Sequence, residues 1–268
     1  IVISFIVYLL YANKKIKVTN YTFKNSKVGK KIRIVHLSDI HNDIFGKDNR
    51  NLYETVKKCC PDVIFITGDL LDSRRTDINR ALFIAGKLTE IAPVYYVTGN
   101  HESRIKKYPV FEKGLKDLGI YVLNNEVAQF DCLKIYGLQD PGFTENNKNR
   151  GEIISDDHLQ EMDISTDERY INVLLVHRPH YFKTYCKYPL DFIFSGHAHG
   201  GQMRLPLLGG LYAPGQGILP KYDSGIYKDN TVTMILSRGL GNSLFPLRIF
   251  NNPEVIVTDI VAEDNSGF

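Results

Sequence analysis

The sequence predicts an α/β fold, and three observations lead there. Short apolar runs rich in β-branched residues alternate with amphipathic segments of helical period. The runs are apolar at nearly every position, as strands buried on both faces should be. Ligand-type residues (Asp, Asn and His) follow one run after another at the carboxyl ends, where open α/β sheets gather their ligands. At 268 residues, 43% hydrophobic and 24% charged, the chain is long enough to bury a sizeable core.

The first element is the apolar run Ile1–Ala12. It is shorter than the roughly 20 residues that span a bilayer. Beside Lys14 and Lys15 it reads as the tail of an N-terminal membrane anchor or signal sequence. That gives the expectation of a cell-membrane location through a single N-terminal anchor, on an unspecified side. The alternative is a buried element of the fold. Lys14, Lys15, Lys17, Lys24, Lys27, Lys30, Lys31 and Arg33 make the following stretch basic. An apolar segment beside a basic one suits a membrane surface. Residues 1–31 are therefore expected as anchor remnant and basic linker, and residues 32–262 as one domain.

Ile32–Leu37, Val63–Thr67, Val94–Thr98, Val173–Val176 and Phe192–Phe194 read as strands. Between the first three lie helices. Asn51–Cys60 places Leu52, Val56 and Cys60 on one face, and Ile78–Ile91 places Ile78, Leu82, Ala85 and Leu88 likewise. A shorter helix near Val110–Leu118 stops at Gly119. Short strands crowd Ile120–Tyr136, turning at Asn124 and Asn125. Val232–Leu236 and Val255–Ile260 are expected in a second sheet with antiparallel pairs. Thr144–Gly151 reads as a loop. The Gly/Pro-rich stretch Gly200–Asp229 is longer than loops usually are, which favours a functional role.

Bulk properties exclude several classes. A net charge of +3 does not support nucleic-acid binding. Cys59, Cys60, Cys132 and Cys186 form no C-x-x-C pair, so neither a zinc ribbon nor a thioredoxin motif is present. No G-x-S-x-G elbow, Walker A run or Rossmann glycine fingerprint occurs.

The chemistry lies just past the end of each strand. The first ends in Asp39-Ile40-His41, the second in Gly68-Asp69 with Asp72 beyond. The third ends in Gly99-Asn100-His101-Glu102, the fourth in His177, the fifth in Gly196-His197-Ala198-His199. Singly each is weak: Gly68-Asp69 could be a turn, Asn100 a cap, His177 a packed residue. Together, each after an apolar strand, they point to metal ions. Carboxylate, amide and imidazole without thiolate suit Mn, Fe or Zn. There are donors enough for two ions, with Asp69 the natural bridge. Two ions about 3.5–4 Å apart can hold a hydroxide and clamp an in-line displacement at phosphorus. Two divalent ions against two carboxylates and a hydroxide leave a net charge of about +1, suited to an anionic phosphoryl group.

These blocks, in this order, resemble the calcineurin-like metallophosphoesterase superfamily: D-x-H, G-D-x-x-D, G-N-H-[ED], a lone His, then G-H-x-H. The flanks, Gly196 to Pro206 and Ser237-Arg238-Gly239-Leu240-Gly241, are similar to its bacterial membrane-associated YkuE-like branch. The resemblance implies a four-layer α-β-β-α sandwich of two mixed sheets with a dinuclear centre. It implies one metal on Asp39, His41, Asp69 and His199, and another on Asp69, Asn100, His177 and His197. His101 would bond the phosphate and protonate the leaving oxygen, with Glu102 and Asp72 as supports; for Asp72 a helix-start cap is the alternative. Arg238 could touch the substrate or only fix its loop, and Arg204 is equally open. His36, His158 and His180 are expected outside the site. The activity implied is hydrolysis of a phosphoester or pyrophosphate through a metal-bridging hydroxide. The competing reading is a catalytically silent metal-binding scaffold, against which the retained His101 speaks. Leu205, Leu207, Leu208, Leu211, Tyr212, Ile218 and Leu219 are apolar. With the anchor they suggest an amphiphilic phosphoester at a membrane, for which the resemblance allows a lipid-linked substrate such as a UDP-diacylglucosamine-type glycolipid; alternatively they pack the second sheet.

Overall fold

Val63–Thr67 carries the logic of the fold in five residues, all buried. Successive side chains of a strand point to opposite faces. Val63 and Phe65 therefore enter one hydrophobic core, and Ile64 and Ile66 another. A strand apolar on both faces needs a layer on each side. In the computed structural model, which describes residues 12–143, 157–242 and 247–263, those layers are a helical layer and a second sheet.

The first sheet contains β1 (Lys17–Lys24), β2 (Ile32–Leu37), β3 (Val63–Thr67), β4 (Val94–Val97) and β5 (Tyr121–Val122). The second contains β6 (Glu126–Phe130), β7 (Leu133–Gly137), β8 (Ile171–Leu175) and β9 (Phe192–Ser195). Two small hairpins come next, β10 (Arg204–Leu205) with β11 (Gly209–Gly210), and β12 (Tyr212–Ala213) with β13 (Gly217–Ile218). The chain then adds β14 (Gly225–Asp229) and β15 (Val232–Leu236) to the second sheet, and returns as β16 (Glu254–Val261) to the first. Spatial orders are β1-β16-β2-β3-β4-β5 and β14-β15-β9-β8-β7-β6. Both sheets are mixed. β2 to β5 run parallel, and β16 is antiparallel to β2. β7, β8, β9 and β15 run parallel between antiparallel edges β6 and β14.

Three cores separate four layers. The central one joins Ile34, Phe65 and Val97 of the first sheet to Ile135, Val173 and Phe194 of the second. The outer face of the first sheet packs on α1 (Arg50–Lys58), α2 (Ile78–Thr89) and α3 (Tyr108–Asp117) through Val56, Ile84 and Phe111. The outer face of the second packs on α4 (Asp157–Glu161) and α5 (Phe182–Tyr185) through Leu159, Phe182 and Tyr185. The α-β-β-α sandwich is thus present. Asp77 starts α2, its side chain accepting from Arg80 N.

Two expectations need correction. Val255–Ile260 is not in the second sheet: β16 pairs with β1 and β2 of the first. Its alternation puts Val255 and Val257 in the outer core and Ile256 and Ile260 in the central one. Either sheet would satisfy that pattern, so only long-range pairing decides. The basic stretch is not all linker either, since Lys17–Lys24 is the edge strand β1, parallel to β16. Edge strands tolerate lysines on their open side. The run Ile1–Tyr11 and the loop at Thr144–Gly151 lie outside the described residues. Among the described residues no helix is long and apolar enough to cross a membrane.

Candidate metal centre

Every site block sits where a buried strand ends, and the backbone there bends sharply. Asp39, His41, Asp69, His197 and His199 all hold left-handed φ, of 54°, 51°, 53°, 70° and 49°. Asp and His enter that region more readily than other residues, though at a cost. Such strain gathers at functional sites. Glycines make room for it. A Cβ on Gly99 would lie 2.2 Å from Asp69 Oδ1, and one on Gly196 would lie 1.8 Å from Ser38 Oγ and 2.6 Å from Asp39 Oδ2.

The bends aim donors from both sheets at one buried place. His41 Nε2 lies 3.2 Å from His199 Nε2, 3.8 Å from Asp39 Oδ1 and 3.6 Å from Asp69 Oδ2. His199 Nε2 is 3.4 Å from Asp39 Oδ1. On the other side of Asp69, His177 Nε2 is 3.3 Å from its Oδ2, 3.2 Å from Asn100 Oδ1 and 3.1 Å from His197 Nδ1. Donors about 2.0–2.2 Å from one ion in tetrahedral array stand a little over 3 Å apart, so these spacings suit a shared cation. Among the described residues three clusters could hold one: Asp39, His41 and His199; His41, Asp69 and His101; Asp69, His177 and His197. His177 Nδ1 donates to Thr67 O at 2.8 Å, which turns Nε2 towards the site.

Electrostatics agree with the geometry. Burial drives His41 and His199 down to about 3, and takes His197 well below its ordinary value, so their lone pairs are free. Burial opposes charge on His177 too, but Asp69 beside it pushes that imidazole up to about 10. Burial would raise Asp69, yet His177, His101 and His41 hold it well below the carboxylate range. A cation would displace the proton that His177 keeps.

His101 stands beside His41 with ring centroids 4.4 Å apart. Its Nδ1 accepts from Ser73 N at 3.0 Å, which in the neutral ring leaves the proton on Nε2. Burial disfavours its charge, but Asp69 and Asp72 outweigh that and raise its pKa. Asp72 Oδ1 is 3.7 Å from Nδ1, and the Asp72 carboxylate also accepts from Arg74 N and Arg75. Asp72 is therefore no helix cap; Asp77 fills that place. Glu102 accepts from Asp69 N, Leu71 N and Gly99 N at 2.8–2.9 Å. Burial and the nearby Asp69 push its carboxyl up to about 7 against the Leu71 and Gly99 donors.

The other sequence candidates separate cleanly. His36 is packed within β2 against Thr67, and His158 pairs with Glu161 on α4. His180 is closer than expected, its ring 5.9 Å from that of His197. Arg204 binds Gly200 O, Ser224 and Asp223, which fixes the loop after His199. Arg238 turns towards Glu254, with Nε 3.8 Å from Oε1, while its loop is held by Leu240 N donating to Ser38 O and Gly241 N donating to Asp39 O.

Several supports were missed from sequence. Arg248 is fully buried, places Nη2 3.4 Å from His199 Nδ1, and donates to Arg238 O and Gly241 O. Asn251 donates to His199 O, and Asn42 accepts from Asp72 N and Asp77 N. Arg178 and Asp140 form a buried bidentate pair beside His177. An arginine between Leu247 and Ile249 was the one legible hint; the others look like ordinary loop residues.

The matched family model, calcineurin-like phosphoesterase, covers residues 32–201, from β2 through the His197 and His199 block. The chain belongs to this family. It is a metallophosphoesterase, a hydrolase of phosphoester bonds, and its clustered His and Asp donors suit two divalent ions. Similar proteins include the Bacillus subtilis metallophosphoesterase YkuE, 28% identical over 254 residues, which cover 90% of this chain and 84% of YkuE. The Bacillus subtilis metallophosphoesterase YkoQ is 27% identical over 269 residues, 95% of each chain. The YkuE-like branch expected from the flanking motifs fits these relatives. A Danio rerio dimetal phosphatase superposes with a TM-score of 0.48 at 12% identity, covering 78% of this chain and 88% of that one.

Proposed function

We propose that this phosphoesterase works on a phosphoester or pyrophosphate held at two divalent ions, with Mn, Fe and Zn the metals suited to its donors. One ion would rest on Asp39, His41, Asp69 and His199, the other on Asp69, Asn100, His177 and His197. The observation that carries this reading is two donor clusters on either side of Asp69, Asp39–His41–His199 with His41 Nε2 3.6 Å from Asp69 Oδ2, and Asp69–His177–His197, with His101 against His41. When bound, the ions would supply Lewis-acid charge to the phosphoryl oxygens and acidify water. The chain's own part is positioning and proton transfer. Glu102 holds the backbone of Asp69 and Gly99, and the Thr67 carbonyl holds His177. His101, with its proton on Nε2, would donate to a phosphoryl or leaving oxygen. Ser73 and Asp72 fix that ring.

The substrate proposed is lipid-linked, of the UDP-diacylglucosamine glycolipid type, presented to a protein anchored through its N-terminal run. The support is apolar exposure next to the site. Leu207, Leu208 and Ile218 are exposed on hairpins that begin just after His199.

A panel of phosphomonoesters, diesters and pyrophosphates, soluble and lipid-bearing, assayed with Mn, Zn and Fe, tests both levels. Asp69→Asn should lose metal and hydrolysis together. His101→Ala should keep the metals and lose on the order of 100-fold or more in rate. Full activity in the His101 variant sinks its assigned role. Equal turnover of soluble and lipid-bearing esters sinks the lipid-linked substrate.

A further inference from the structure

The two hairpins after His199 carry a group of large apolar side chains that the fold does not cover. Leu205 is 43% exposed, Leu207 106%, Leu208 65%, Tyr212 44%, Ile218 75% and Leu219 54%. Leu207, at the turn of the first hairpin, has φ +70°, and Leu219 has φ +52°. A bulky residue in the left-handed region is an outlier, and glycine or asparagine is the ordinary choice there. Leu207 thus gains nothing from packing and nothing from its backbone, which marks its side chain as the reason for its presence. The backbone joins the two hairpins through Leu219 N donating to Leu211 O, and large apolar side chains left exposed together mark a binding face.

The neighbours of the hairpins indicate the occupant. Met203 bridges to Ile249, and Arg204 N donates to Ile249 O at 2.9 Å. The same segment carries exposed Phe250, and it holds the start of the described chain. Arg248 N donates to Asn13 Oδ1 at 2.7 Å, and Asn252 Nδ2 donates to Ala12 O at 2.8 Å. The described residues, which follow the uncharged run Ile1–Tyr11 in the sequence, therefore begin beside the segment that carries Phe250 and pairs with the first hairpin. Exposed Lys15 and Lys17 come just after the junction, and exposed Lys221 just after the second hairpin. Apolar side chains beside lysines match an acyl boundary beneath anionic headgroups.

We propose that the paired hairpins of residues 204–218, with Phe250, insert into a lipid bilayer and seat the metal centre at its surface. This stands apart from the substrate named above, because a domain can dock on a bilayer and still hydrolyse a water-soluble ester. The chain contains no Trp, so a single introduced Trp reports its own surroundings. Leu207→Trp, Ile218→Trp and, on α2 far along the sequence, the exposed Phe83→Trp are made in the full chain. Emission is read with vesicles of phosphatidylcholine and phosphatidylglycerol, with and without brominated acyl chains. The two hairpin variants should shift to the blue and be quenched by bromolipid, while the Phe83 variant keeps its spectrum in buffer. Vesicle-bound protein with unshifted hairpin variants overturns the proposal, because another segment then makes the contact. So does absence of vesicle binding. A blue shift without lipid that grows with protein concentration also overturns it, since the face would then meet a second copy. None of these readings depends on turnover.

Discussion

Asp39 shows how much one residue is asked to do in this site. It adopts left-handed backbone, accepts from His197 N at 2.9 Å and from Ser38 Oγ at 2.6 Å, and faces His41 and His199. Gly196 makes this possible by leaving no Cβ in the way. Gly196→Ala should therefore push Ser38 and Asp39 aside. Overpacking of this kind costs about 1–3 kcal/mol. The variant should melt at lower temperature and titrate with metal more weakly, and unchanged metal affinity would separate the glycine from the site. All seven proposed ligands were legible in the sequence because each follows a strand. Arg248, Asn42 and Asn251 were not, since their importance lies in which distant carbonyl or amide they meet.

At the scale of elements, the first sheet is closed by its last strand. β16 lies between β1 and β2, and Asp259 on it binds Arg33 of β2 at 2.7 and 2.8 Å, with Lys31 nearby. The Arg33 guanidinium holds the Asp259 carboxyl below the ordinary carboxylate range. A carboxyl lowered in the folded state stabilises above its unfolded pKa of about 4, and that contribution fades as pH falls through the folded value. Asp259→Asn should thus lower the melting temperature at pH 7, and its gap from the wild type should narrow below about pH 4. A gap that is constant with pH would assign the loss to packing instead. The apolar alternation of β16 was readable, but its sheet was not, because either sheet offers cores on both faces. β1 was hidden by its lysines, which an edge strand can carry.

The whole molecule is two sheets meeting at a shared set of donors. Asp39, His41, Asp69 and Asn100 follow strands of the first sheet, and His177, His197 and His199 follow strands of the second. Metal bound there would couple the two halves. An ion that binds only the folded state stabilises it by about 2.7 kcal/mol at 100 times its Kd. Chelation should consequently lower the melting temperature, and re-added Mn or Zn should restore it. No change on chelation, in protein shown by elemental analysis to carry metal, would count against a site shared between the sheets. The sequence by itself determined the α/β class, the order of strand and donor, and the family, because strand burial and ligand chemistry are both written locally. The tertiary structure alone decided that β1 and β16 complete the first sheet and that Arg248 backs His199. It alone decided that the apolar hairpins are exposed, near the segment that holds Ala12 and Asn13. Those outcomes depend on pairings between residues far apart in the chain or on which side of a hairpin is covered, and neither has a local signature.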